Sequence, residues 1–182
     1  PTITLSGGRM FFVETVRPVS GSGRHSLATL RKTGLRIVCL DAETGGRLWA
    51  RAVDNGLELS GNILFLAASG EHLIATGSQL NAGNDTKYRV HCYAAKSGRE
   101  LWSASHLKGK PGAFTHGEQV HHPVILGGRL IAEPAIYELA TGKRLGPLGV
   151  PADWNLKRPG HSCGTLTGAG DCLFFRAANP TV

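Results

Sequence analysis

Several features that mark specialised proteins are scarce in this sequence, which has little charge, few aromatic residues and a single methionine. Charged residues make up 18% of the 182 residues and hydrophobic residues 41%, a balance that excludes an intrinsically disordered chain. The apolar runs are far shorter than the roughly 18 residues of a membrane-spanning helix. No basic stretch followed by an apolar one opens the chain, so we expect no secretory signal within these residues. The composition predicts a globular protein without a transmembrane helix.

Cysteine is also scarce. The four cysteines are Cys39, Cys92, Cys163 and Cys172. None of them forms a pair separated by two residues, which excludes zinc-ribbon and thioredoxin-type motifs. Their wide spacing does not fit a disulfide scaffold. We predict that they serve as small buried hydrophobic side chains.

Positive charge is in excess, with a formal net charge of +7 at pH 7. A basic surface attracts nucleic acids, anionic lipids and acidic partners. The basic residues are scattered, however, and the densest patch, residues 17–36, contains no aromatic side chain that could stack on a base. We therefore expect a solvated basic surface and no binding of nucleic acid.

Glycine, in contrast, is abundant, and it recurs within repeated phrases. An eleven-residue phrase occurs three times, at residues 39–49, 92–102 and 136–146. Each copy reads as the end of a strand, a tight turn with Thr or Ser before glycine, and a second strand, which is typical of a β-hairpin. The turn glycines Gly45, Gly98 and Gly142 would supply the positive φ angle that such turns require.

A second phrase, a turn followed by a short apolar run, accompanies the first. Its four copies lie at residues 7–13, 69–75, 127–132 and 169–175. A run that is apolar on both faces predicts a strand buried on both faces. Each copy of a turn and buried strand precedes its hairpin, so the chain holds three units and the start of a fourth. Units of roughly 40–50 residues with several short strands are typical of β-propeller blades.

Three insertions interrupt the repeats. They lie between Glu14 and Arg36, from Ser78 to Arg89, and from Lys108 to His122. The first insertion holds the longest helical candidate, residues 26–32. The second carries a polar, turn-forming string at residues 81–85.

The hairpin phrases resemble the tryptophan-docking motif of the pyrroloquinoline-quinone (PQQ) repeat family, the quinoprotein-type β-propellers. The family pattern is Ala-x-Asp-x-x-Thr-Gly-Lys-x-x-Trp. The first copy matches this pattern at Asp41, Thr44, Gly45 and Trp49. The resemblance implies an all-β fold: a β-propeller fragment of about three blades plus the start of a fourth, arranged as an open arc.

The other two copies are less complete. The second keeps Gly98 and Trp102, and the third keeps Thr141 and Gly142 but has Gly146 in place of the tryptophan. The resemblance implies that all these matched residues are structural. It further implies that each tryptophan is largely buried against a neighbouring repeat.

The resemblance does not carry catalysis with it. The PQQ-dependent dehydrogenases that this chain resembles often hold the quinone between a tryptophan and a disulfide of adjacent cysteines, and they use a carboxylate-rich calcium site. This chain has no adjacent cysteines, and its five aspartates form no cluster. We predict no cofactor for this segment, with PQQ or a metal ion expected only if it belongs to an enzyme.

Histidine provides the one suggestive cluster of ligating side chains. The candidate metal ligands are His116, His121, His122, His161 and Cys163. Imidazole and thiolate groups bind zinc, copper and haem iron. Aligning the repeats at Gly128 and Gly170 places His121 opposite Cys163, so we predict that these two are neighbours at the propeller mouth. The favoured interpretation is that all five are ordinary polar loop residues, with a metal or ligand site as the alternative.

We interpret residues 1–182 as a PQQ-like propeller segment of a larger protein, because Pro1 is not a natural start. The favoured function is a non-catalytic binding or scaffold module, extracytoplasmic by family resemblance. Its expected partners are further blades or domains of the same protein, with a protein or small-molecule ligand at the propeller mouth. The alternative is part of a quinoprotein-like oxidoreductase whose cofactor site lies outside this segment.

Overall fold

Strands form nearly all of the regular structure. The computed structural model describes residues 3–18, 34–53, 65–80, 86–109, 122–132, 135–148 and 166–174. The first sheet contains β1 (Thr4–Ser6), β2 (Arg9–Thr15), β3 (Leu35–Asp41) and β4 (Arg47–Ala52). The second contains β5 (Phe65–Ser69), β6 (His72–Leu80), β7 (Thr86–Ala94) and β8 (Glu100–Gly109). The third contains β9 (Val124–Leu126), β10 (Arg129–Ala132), β11 (Ala135–Glu138) and β12 (Arg144–Pro147). A final hairpin pairs β13 (Thr167–Ala169) with β14 (Cys172–Phe174).

The sheets follow one another as blades. Within each sheet the strands are antiparallel and lie side by side in chain order. The first strand of each sheet contacts the first strand of the next, through the series β1, β5, β9 and β13. This confirms the predicted propeller segment of three blades and the start of a fourth, arranged as an open arc. The helical candidate at residues 26–32 lies outside the described residues, none of which form a helix that could cross a membrane.

The hydrophobic core is divided into the seams between neighbouring sheets. Phe11 and Cys39 of the first sheet pack with Leu73 and Tyr93 of the second. On the other side of the second sheet, side chains such as Val90 pack against the third. Burial on both faces therefore holds for β6 and β10 but not for β2 and β14, whose sheets have a neighbour on one side only among the described residues.

The hairpin turns are closed by hydrogen bonds to the motif side chains. The carboxylate of Asp41 accepts from the backbone N–H of Thr44 (2.8 Å) and from its hydroxyl (2.9 Å). These two bonds hold the pKa of Asp41 below its usual value. In the third copy, the hydroxyl of Thr141 donates to the carboxylate of Glu138 in the same way. Glutamate thus replaces aspartate here without loss of the turn.

Each of the two motif tryptophans docks onto the turn of the next sheet. The indole Nε1 of Trp49 donates to the backbone oxygen of Ala95 (3.0 Å), and that of Trp102 to Leu139 (2.9 Å). The rings lie so close to Gly98 and Gly142 that a Cβ atom there would stand 2.8 and 2.5 Å from the nearest ring atom. Both turn glycines have φ angles near +70°. Glycine is therefore required twice over, for its backbone conformation and for its lack of a side chain.

A β-bulge precedes each docking position. The bulged residues are Leu48, Leu101 and Leu145, and they are 50%, 37% and 49% exposed. Bulges turn the following side chain relative to the sheet, and here the following residue is the docking position. Both indoles are mostly buried and pack against the neighbouring sheet, as predicted, and the part that stays exposed belongs to an outer strand covered from one side only.

The second sheet is longer than its neighbours. The register of β6 and β7 continues to the pair Leu80 and Thr86. The predicted insertion from Ser78 to Arg89 is therefore mainly an extension of two paired strands, and only residues 81–85 remain as a connection. The stretch is polar on both faces, so its sequence lacks the alternation of apolar and polar residues that would have predicted two strands.

Replacing the turn glycines by alanine tests the docking contact. Gly45 has nearly the same positive φ angle as Gly98, but no atom in the described part of the chain lies within 4 Å of its Cβ position. At either position alanine should lower the free energy of unfolding by about 1 kcal/mol, because of backbone strain. For Gly98→Ala we expect a further loss of roughly 1–3 kcal/mol, because the new methyl group overpacks against Trp49. Urea unfolding measures the difference, with Gly45→Ala as the matched control. Equal losses at both positions would contradict the docking.

Truncating an indole tests its contribution directly. We expect Trp102→Ala to lower the free energy of unfolding by about 3 kcal/mol, the low end for large aromatic side chains, because its ring is partly and not fully buried. Leu101→Ala, at the adjacent bulge, should change it by only about 0.5 kcal/mol, as for a surface side chain. Thermal or urea unfolding of both variants compares them. A loss as small for Trp102 as for Leu101 would refute the structural role.

Candidate functional site at the loop end

The arc has two different ends. Tight turns join the first strand of each sheet to the second, and the third to the fourth, so they all lie at one end, the turn end. The segments 19–33, 54–64, 81–85, 110–121 and 149–165 all attach to the opposite end, the loop end. Loops that vary in length on a rigid scaffold are where binding residues concentrate. The loop end is therefore the candidate functional surface.

Most of the predicted metal ligands belong to the connecting segments. His116, His121, His161 and Cys163 lie outside the described residues. The proximity of His121 and Cys163 and the shared metal site stay predictions. Within the described part of the chain, no group of three or more ligating side chains could hold a metal ion.

His122 is the one candidate ligand that the structure places. Its ring lies against Phe65, with 3.6 Å between the ring centroids. Phe65 begins β5 and His122 stands just before β9, so the contact joins the second and third sheets at the loop end. Burial lowers the pKa of His122 and favours the neutral imidazole. A neutral ring nitrogen can accept a hydrogen bond or bind a metal ion.

A second histidine, in the outer strand β8, joins the same two sheets. The Nδ1 atom of His106 lies 2.7 Å from the hydroxyl of Tyr137, and the ring of Tyr88 lies parallel to the imidazole at 5.5 Å. All three side chains are buried. Burial raises the pKa of Tyr137, so its hydroxyl stays protonated. This cluster gives the seam a buried hydrogen bond with a defined geometry.

A third histidine lies in the seam with the first sheet. His91 is buried beside Tyr93, and its Nδ1 atom stands 3.7 Å from the carboxylate of Glu100. Burial lowers the pKa of His91, while Glu100 opposes the shift. Arg51 of β4 lies over the ring of Tyr93 and donates to the backbone oxygen of Gly98 (3.1 Å). The contacts of Arg51 join the first two sheets close to the docked indole.

The thiols fall into two groups. Cys39 and Cys92 are buried, as predicted, and burial raises the pKa of Cys92 to about 12, so that it stays an unreactive thiol. Cys172 is exposed on the final hairpin, contrary to the prediction, because no described sheet covers that face. Cys163 lies outside the described residues.

The sequence analysis missed His91, His106 and Arg89. All three are single polar residues within strands whose alternation is hidden by neighbouring polar residues on both faces. The repeat offers one usable signal: shifting the first sheet by the 53 residues between Gly45 and Gly98 places Arg36 on Arg89. This recurrence indicates that the two arginines occupy equivalent positions of neighbouring blades.

Comparison with known proteins identifies one family. Residues 33–173 match the family described as outer membrane protein assembly factor BamB, a family of PQQ-type repeats. The match covers more than three-quarters of the chain. No curated protein matches the chain.

The burial of His91 predicts a pH-dependent stability. The pKa of His91 is lowered in the folded state, so the unfolded chain binds the proton more readily, and stability falls as the pH drops below about 6.5. We expect urea unfolding to give a lower free energy at pH 5 than at pH 8. His91→Gln should flatten this dependence more than His72→Gln, the same substitution at a less buried histidine. An unchanged slope in His91→Gln would contradict the assignment.

Proposed function

Because the chain belongs to the family of the outer membrane protein assembly factor BamB, we propose that it is a non-catalytic binding and scaffold module of a larger, extracytoplasmic protein. The family's description names the assembly of outer membrane proteins, which supports both the binding role and the location. A propeller suits this role because its rigid sheets hold variable loops at one end.

One observation carries the proposal: no described residue occupies the indole-docking turn of the first sheet. The acceptors used by Trp49 and Trp102 are the backbone oxygens three residues before the turn glycines. In the first sheet the equivalent positions are Ala42 and Gly45, and no atom of the described ranges lies within 4 Å of the Cβ position of Gly45. This turn has the features that bind an indole in the other two sheets. It supports a partner made of the same repeat, a further blade of the same protein.

The loop end supports the binding half of the role. Its described residues include the rings of Phe65 and His122 and the extended strands β6, β7 and β8. Aromatic and neutral polar groups of this kind suit contacts with a protein or a small molecule. We propose that ligands meet the propeller at this end, and that the segment binds no resident quinone.

Titration with PQQ and calcium separates the scaffold from the quinoprotein-like alternative. We expect no saturable change in quinone absorbance at micromolar protein, because this segment has no adjacent cysteines and no cluster of carboxylates to hold the cofactor. A PQQ-dependent dehydrogenase measured under the same conditions serves as the positive control. Stoichiometric binding of the quinone by this chain would overturn the proposal.

A further inference from the structure

The outer edge of the second sheet differs from the other two edges. β8 runs from Glu100 to Gly109, whereas β4 has six residues and β12 has four. Charges and proline on edge strands discourage pairing with other chains. β4 carries two arginines and β12 ends in Pro147, but residues 101–107 of β8 carry neither charge nor proline. β8 is therefore the edge most open to an added strand.

One face of this edge has small and apolar side chains. Ser103, Ser105 and Leu107 alternate along β8 and are all exposed. They pair with His91, Arg89 and Lys87 of β7, so the two strands present polar and basic groups on the same face. Serine is short, and a long basic side chain can reach over it to the next strand position about 10 Å away.

Arg89 lacks the partner that its counterpart has. In the first sheet, the Nε atom of Arg36 donates to the carboxylate of Glu14 (2.5 Å), its neighbour across the strand pair. In the second sheet, Arg89 occupies the equivalent position, and its neighbour across the pair is Gly77. The Nε atom of Arg89 is buried and has no hydrogen-bond partner among the described residues.

We propose that the edge of β8 binds an extended acidic peptide segment as a fifth strand, with a carboxylate of that segment pairing with Arg89 across Ser105. Strand addition supplies backbone hydrogen bonds, and alternate side chains supply specificity. The carboxylate replaces the one that Glu14 provides in the first sheet, and arginine pairs well with such planar groups. The net charge of +7 also favours an acidic partner. This inference rests on the proposed binding role and adds the chemistry of the partner.

Two labelled nine-residue peptides test the inference on the full chain. Both alternate threonine and valine, and the central residue is aspartate in one and asparagine in the other. Fluorescence anisotropy should show that the aspartate peptide binds about tenfold more tightly than the asparagine peptide. The reason is that arginine makes a stronger hydrogen bond to a carboxylate than to a neutral amide. Hydrogen exchange should show the amides of residues 103–107 becoming protected when the peptide is bound.

Three variants assign the binding to the edge. Arg89→Gln should abolish the preference for aspartate while the asparagine peptide still binds. Ser105→Glu should weaken the aspartate peptide at least tenfold, because the new carboxylate occupies Arg89 and repels the peptide. Ala52→Glu is the matched control, since Ala52 is the equivalent exposed residue of β4 and pairs with Arg36. It should leave binding unchanged.

Two results would overturn the inference. One is the absence of binding by either peptide, and the other is equal affinity of the aspartate peptide for Ser105→Glu, Ala52→Glu and the unaltered chain. Both leave the scaffold role standing with other partners. Binding of quinone in the titration above would instead overturn the scaffold role and leave the peptide result in place.

Discussion

The contact between an indole and the glycine turn of the next sheet is the interaction on which the arc depends. It combines a hydrogen bond from the indole N–H to a backbone oxygen with close packing of the ring on a residue that has no side chain. Sheets of four short strands bury little area alone, so each needs a neighbour in a fixed position. The bulge at Leu48 or Leu101 orients the following tryptophan so that its ring packs on the glycine turn of the next sheet. The series ends at Gly146, where the bulge persists but the ring is absent.

Because docking takes place at the turn end, the loop end is free to differ from blade to blade. The second sheet uses this freedom by lengthening three strands without disturbing the contacts of Trp49 and Trp102. Its outer strand is longer, and among the described residues Arg89 faces Gly77 at the position where Arg36 faces the carboxylate of Glu14. A change tolerated by the scaffold thereby becomes a difference in surface chemistry. The packing of the sheets constrains the turn end, whereas it leaves the residues of the loop end free to vary.

The seams also contain polar groups, and these restrict how the sheets meet. His106 and Tyr137 share a hydrogen bond between the second and third sheets. His91 lies in the seam between the first and second sheets, near Glu100 of its own sheet. A buried polar pair is stable only when its partners meet in one geometry. Apolar side chains alone would allow the sheets to slide. The bond between His106 and Tyr137 therefore helps to fix the position of the second sheet against the third, and burial of His91, which lowers its pKa, makes the fold sensitive to acid.

The repeated phrases alone determined the strands, the hairpins and the number of sheets, because turn glycines and apolar runs act locally. Asp41, Thr44 and Gly45 form their turn from bonds within six residues, so the motif predicts it directly. The sequence did not predict the exposed Cys172 or the Arg89 side chain that faces Gly77 and no carboxylate across the strand pair. Whether a side chain is covered depends on the sheet that stands next to it, and whether an arginine has a partner depends on the residue paired across the strand. Those neighbours are distant in the chain, and only the packing of sheet against sheet brings them together or leaves them apart.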